Sequence, residues 1–191
     1  MFLSTGNRYY DSIHIQLASL DRELWPTEHD GNSFFTSIAR QLPNSGIIYN
    51  YLRELLFTTS DDPLQKYLAF AQSISYEDMV NDLKLLREPG VWFPHMRDVV
   101  VAILQDELDT EIAIIRHTAK PHLVDTNRDE PRSSLVVIVQ GINPNHYDGT
   151  RLILSGKYFP EFIKLTFDDC KDCFFRFQEK YKYYVVNMCK M

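Results

Sequence analysis

The sequence predicts an α+β domain, with a helical layer packed on a small central β-sheet. Two observations lead there. Apolar residues recur at helical spacing through the first half of the chain, and from Glu111 onward the pattern changes to short β-branched runs. The chain has 191 residues, 45% hydrophobic and 24% charged, which is enough apolar material for one compact core.

In order, Tyr9 to Leu20 sets Ile13, Ile15, Leu17 and Leu20 among polar residues and reads as a short amphipathic helix. Asp21 to Gly31 is polar, holds Pro26, and leads into Asn32. A helix is expected from Ser33 to Gln41, with Phe34, Phe35, Ile38 and Ala39 for its core face, ended by Pro43-Asn44-Ser45-Gly46. A second follows over Ile47 to Phe57, and Thr59 to Pro63 reads as another helix start. Ser75-Tyr76-Glu77-Asp78 has the form of a capping box opening a helix through Leu86, which Glu88-Pro89-Gly90 stops. A short loop with Trp92 and Pro94 precedes a helix over Met96 to Leu108.

Glu111 to Arg116 and Leu135 to Gln140 read as buried strands, and His117 to Ser134 between them as a surface loop or distorted hairpin. Tyr147 to Leu154 is the third strand, and Asp168 to Tyr184 a closing helix. The expected division is an N-terminal helical extension, residues 1–24, and one compact domain, residues 25–191, with no repeat.

The net charge of −6 argues against a nucleic-acid partner. No apolar run reaches membrane-spanning length and no signal-like segment opens the chain, so the expectation is a cytoplasmic monomer. The three cysteines, Cys170, Cys173 and Cys189, are odd in number and clustered, which suits a reducing compartment. Cys170 and Cys173 have CxxC spacing, but a zinc site needs two further ligands, and two thiols on one helical turn is the simpler reading. No metal and no cofactor is expected.

Two segments carry chemistry. In Asp30-Gly31-Asn32-Ser33-Phe34-Phe35 a Gly-Asn turn runs straight into an apolar helix. Ser33 then stands at a helix start, where unpaired N–H groups gather and favour a nearby anion. A thiolate there would have a depressed pKa, and the N–H groups could hold an oxyanion. In Asn145-His146-Tyr147-Asp148, His146 and Asp148 are two apart at the start of a strand and project to the same face. That is a base with its orienting carboxylate. Alone, a serine at a helix start is ordinarily a cap; the joint presence of both segments gives the pattern meaning.

Asp30 to Ile38 (DGNSFFTSI) resembles the nucleophile motif of the OTU, or ovarian-tumour, cysteine proteases, in which Asp-Gly-Asn-Cys precedes an aromatic-rich helix. His146-Tyr147-Asp148 resembles that family's His motif, and Gly90-Val91-Trp92 with the helix and strand after it resembles the family's middle segment. The resemblance implies a papain-like fold and a deubiquitinase: a thiol protease acting without metal, by a Cys-His-Asp mechanism, on the isopeptide bond at the C-terminus of ubiquitin or polyubiquitin. It implies a catalytic set of Ser33 at the nucleophile position, His146 as base, Asp148 as its orienter, and Asp30. It further implies an oxyanion hole from Asp30, Gly31 and Asn32, and a substrate channel lined by Trp92 and Tyr147. A free-standing domain of this kind would suit a viral or bacterial effector in a host cytosol.

Ser33 departs from the pattern. An alcohol is far less acidic than a thiol, so the resting ion pair with His146 is lost and little turnover is expected. Either the serine replaces a working cysteine, an account that the intact His146–Asp148 pair favours, or the chain is a natural pseudo-enzyme that binds ubiquitin without cleaving it. A serine hydrolase is a third reading, against which the absence of a G-x-S-x-G elbow counts. Phe93 and Pro94 after Trp92 also depart from the family, where many members have small residues. The segment from Asn7 to Ile13 faintly echoes the His motif and is expected to pack or contact ubiquitin. His14, His29, His95, His117 and His122 have no partner assignable from sequence, although His29 and His95 flank the site.

Overall fold

The computed structural model describes residues 8–42, 49–57, 64–117, 120–128 and 130–153, with the backbone alone for residues 8–10. The three cysteines, the expected closing helix and the helix start at Thr59 to Pro63 lie outside the described residues.

The apolar runs Thr110–Ile115 and Ser134–Gln140 form strands β2 and β4, paired in parallel from Thr110↔Ser134 to Ile115↔Val139. Strand residues alternate between faces, and here both faces are buried. Ile112, Ile114, Val136 and Ile138 enter the larger core, while Ala113, Ile115, Leu135, Val137 and Val139 enter a second one. Sheets covered on both sides read as continuous hydrophobic runs, which is why these two segments were legible. Strand β3, His122–Leu123, pairs antiparallel with β2 inside the segment expected as loop or hairpin. Strand β5, Tyr147–Leu152, pairs antiparallel with β4 through Val139↔Asp148 and Gln140↔Tyr147.

Arg22–Trp25, inside the polar segment to which the sequence assigns no element, is strand β1, antiparallel to β5, and the sheet order is β1-β5-β4-β2-β3. Four residues on an edge carry no alternation strong enough to read; pairing with β5 makes this strand, not local propensity. It also runs across the boundary expected between residues 24 and 25. Helix α1, Arg8–Ala18, puts Ile13 and Leu17 into the second core, so it covers one face of the sheet.

The other face carries the helical layer. Helix α2 is Ser33–Ala39, α3 is Tyr49–Leu55, a 3-10 turn spans Gln65–Phe70, and α4 is Tyr76–Leu85. Ser75 caps α4 as the sequence indicates, its Oγ accepting the Asp78 N–H at 3.1 Å. A 3-10 turn over Pro94–Met96 then leads into α5, Arg97–Leu108, whose residues Asp98 to Gln105 are all buried. The fold is thus α+β, with the small sheet central. No helix among the described residues is long and apolar enough to cross a membrane.

Candidate active site

The start of α2 meets the start of β5. Ser33 and Ser37 lie one helical turn apart, on one face. Both grip the backbone of Tyr147: its N–H donates to Ser33 Oγ at 3.2 Å, and Ser37 Oγ donates to its carbonyl at 3.0 Å. Ser33 is therefore fixed beside the strand that carries His146 and Asp148, and is only 2% exposed.

His146 stands at the mouth of the β4–β5 hairpin, whose turn is closed by Gly141 N–H on the His146 carbonyl at 2.9 Å and His146 N–H on Asn143 at 3.0 Å. Its Nε2 is 3.1 Å from Asp148 Oδ1. Asp148 Oδ1 also accepts the Thr27 backbone N–H at 2.8 Å, so the carboxylate is held from two sides. The Thr27 hydroxyl bonds Ser37 Oγ at 3.1 Å and accepts the Gly149 N–H at 3.3 Å. Nδ1 is the ring nitrogen of His146 left over. Among the described residues no hydrogen bond joins it to Ser33, whose Oγ accepts the Tyr147 N–H instead. The Tyr147 N–H points at Ser33 Oγ, and a thiolate in place of that hydroxyl would be stabilised by it.

The loop before α2 is locked by its own side chains. Asn32 is buried, and although it stands at the N-cap its side chain makes no capping bond. Its Oδ1 instead accepts the Gly90 N–H at 2.7 Å and Arg53 Nη2 at 2.9 Å. Its Nδ2 and its backbone N–H both donate to the Asp30 carboxylate, at 3.0 and 2.9 Å. Asn32, one of the residues expected to form the oxyanion hole, thus has its backbone N–H engaged with Asp30. Burial works to raise the Asp30 carboxyl, but the bonds from Asn32 hold it below the ordinary carboxylate range. Gly31 has φ +76°, and a Cβ there would lie 2.2 Å from the Gly90 carbonyl oxygen. Glycine is required both by the left-handed backbone and by the close approach.

Sequence reading missed Arg53. It is 1% exposed, donates to the carbonyls of Leu86 and Val91 as well as to Asn32, and lies 4.3 Å over the Phe35 ring. Burial lowers its guanidinium to about 10. In the sequence it is one arginine on a short helix, indistinguishable from a solvated one; only its position between α2 and the Gly90 turn gives it this role.

Of the expected channel residues, Trp92 is half-buried and stacks on Phe34, with ring centroids 4.3 Å apart. It also meets the edges of Phe35 and Tyr147, and its indole N–H has no partner among the described residues. Tyr147 needs correction. Its side chain is 0% exposed, packed against Phe34 and Trp92, and its hydroxyl accepts Gln140 Nε2 at 3.2 Å. Burial pushes the phenol up to about 12. A ring in that position lines no channel; what Tyr147 offers the site is its backbone N–H.

The structure shows partners for three of the histidines left unassigned by the sequence. His29 stacks on His146, His95 pairs with Asp82 at 2.8 Å, and His122 pairs with Asp98 at 2.8 Å. Among the described residues no group of three or more His, Cys, Asp or Glu could hold a metal.

No family model and no curated protein matches the sequence. Several solved structures are similar to the chain. One is an OTU deubiquitinase from Wolbachia pipientis, at 16% identity and TM-score 0.48, over 70% of this chain and 90% of that one. Another is the Hazara virus OTU bound to ubiquitin, at 16% identity and TM-score 0.40, over 70% of this chain and 83% of that one.

Proposed function

We propose that the chain is an OTU-type ubiquitin-handling domain whose nucleophile position is occupied by Ser33. The observation that carries this reading is the joint placement of Ser33 at the start of α2 and the bonded His146–Asp148 pair at the start of β5, linked through the Tyr147 N–H. Apart from serine in place of cysteine at position 33, the residue types and their order in the chain match the OTU pattern described above.

With cysteine at position 33, His146 would take the thiol proton and Asp148 would orient the ring. The thiolate would attack the carbonyl of ubiquitin's C-terminal glycine and displace the substrate lysine amine, which takes from His146 the proton that the thiol gave up. Water would then hydrolyse the thioester. With serine the first proton transfer is far less favourable, and the chain as written is expected to bind and not to cleave.

A second reading, a natural ubiquitin-binding pseudo-enzyme, is favoured by one observation: Ser33 Oγ is buried and satisfied by a backbone N–H, the behaviour of a hydroxyl serving structure. Hydrolysis of a fluorogenic ubiquitin C-terminal amide separates the two. Turnover by Ser33→Cys, lost in Ser33→Cys/His146→Ala, supports a protease scaffold. Ubiquitin binding without turnover by Ser33→Cys supports the pseudo-enzyme.

A further inference from the structure

The rings of His29 and His146 lie face to face, with centroids 3.4 Å apart and planes 13° from parallel. His29 is exposed and His146 is 7% exposed, so His29 is the outer ring and His146 the covered one. The outer ring is not on a free loop. It follows Trp25, which ends β1 opposite Gly149, and Thr27, which donates to Asp148 and bonds Ser37. Arg40 from the end of α2 donates to the Pro26 carbonyl at 3.1 Å and lies over the Trp25 ring. One five-residue stretch thereby holds the carboxylate that orients His146 and lays a flat ring across its face.

The bond from Asp148 fixes one nitrogen of His146 but leaves the ring free to tilt out of plane about that contact. A stacked ring opposes that tilt and keeps water off the face it covers. The edge at Cδ2 is bounded by Gly141, where a Cβ would come within 3.4 Å of that carbon. The imidazole is thus constrained at its Nε2, its Cδ2 edge and one face.

We infer that His29 is a positioning residue for His146, its ring acting as a flat cover that holds the imidazole in the plane set by Asp148. The inference rests on the reading of His146 as the base. It concerns a residue outside the Asp-Gly-Asn-Ser motif, and it assigns the role to the shape of the ring and not to its proton.

The test compares His29→Ala and His29→Phe, each in the Ser33→Cys chain, for covalent capture by ubiquitin with a thiol-reactive C-terminal warhead. The saturating rate and the half-saturating concentration are measured separately. His29→Ala is expected to lower the saturating rate roughly tenfold with half-saturation unchanged, and His29→Phe, which keeps a flat ring, to restore most of it. The His146 ring proton resonances, read by NMR in the Ser33 chain, should move in His29→Ala and not merely broaden with unfolding. Capture by Ser33→Cys that is equally fast in His29→Ala, or a Phe variant no better than Ala, would overturn the role of the stack while leaving the protease reading intact. A Ser33→Cys chain that captures nothing removes the reading and the role of His29 with it.

Discussion

The Asn32 carboxamide oxygen accepts the Gly90 backbone N–H at 2.7 Å, across 58 residues of sequence. This bond ties the loop before Ser33 to the turn after α4, and Gly31 and Gly90 pass each other beneath it with both φ angles positive. The position of Ser33 depends on that contact as much as on α2 itself.

Gly31→Ala and Gly90→Ala should therefore differ. At Gly31 the added carbon lies 2.2 Å from a backbone oxygen, which cannot swing aside; at Gly90 it meets the Asp30 carbonyl at an ordinary 3.5 Å. Gly90→Ala carries only the left-handed backbone penalty, about 1 kcal/mol. Gly31→Ala adds a backbone shift, for about 3 kcal/mol or more in total. Urea unfolding midpoints of the two variants check the order; equal midpoints would show that the loops do not touch.

Arg53→Met keeps bulk and removes the donors. The carbonyls of Leu86 and Val91 then lose a buried partner, and Asn32 Oδ1 keeps only Gly90. A loss of about 3 kcal/mol is expected, at roughly 1–3 kcal/mol per stranded acceptor with partial relaxation. Arg53→Lys should recover only part, since an ammonium cannot span the same fork of acceptors. Thermal unfolding checks both.

Little of this lock was legible in the sequence, and the reasons are physical. The β-branched runs of β2 and β4 and the cap at Ser75 announce themselves because the force that makes them is local or periodic. The His146–Asp148 pair was legible for the same reason, as two residues on one face of a strand. Arg53, Gly90 and Thr27 act across long separations through single hydrogen bonds, which leave no period. The family resemblance alone puts Tyr147 in the channel; the register of β5 turns its ring into the core. Strand β1 was missed because its partner, β5, lies more than a hundred residues away.

Asp98 gives an acid-dependent prediction. Burial works to raise its carboxyl, but bonds from His122 and Arg97, both at 2.8 Å, outweigh it and hold it at about 2. A carboxyl depressed in the folded state stabilises the fold above its unfolded value near 4, and that contribution is lost as pH falls from about 4 to about 2. At pH 6 Asp98→Asn should be less stable than the parent by about 2 kcal/mol. The gap should close toward pH 2. A gap independent of pH would mean that the cluster contributes through packing and not through charge.

Asp148→Asn, made in the Ser33→Cys chain, keeps an oxygen for the Thr27 N–H but loses the charge facing His146. The expected result is a capture rate lower by about tenfold to a hundredfold with the unfolding midpoint nearly unchanged. Unchanged capture would show that Asp148 holds the Thr27 loop and does not orient a base.

The central claim is that Ser33, His146 and Asp148 form a ubiquitin-directed site silenced at one atom. Covalent capture by ubiquitin carrying a thiol-reactive C-terminal warhead tests it most directly, with the chain as written, Ser33→Cys, and Ser33→Cys/His146→Ala side by side. The account predicts a ubiquitin adduct on Ser33→Cys alone, located at position 33. No adduct on any of the three, together with no measurable ubiquitin binding, would contradict it.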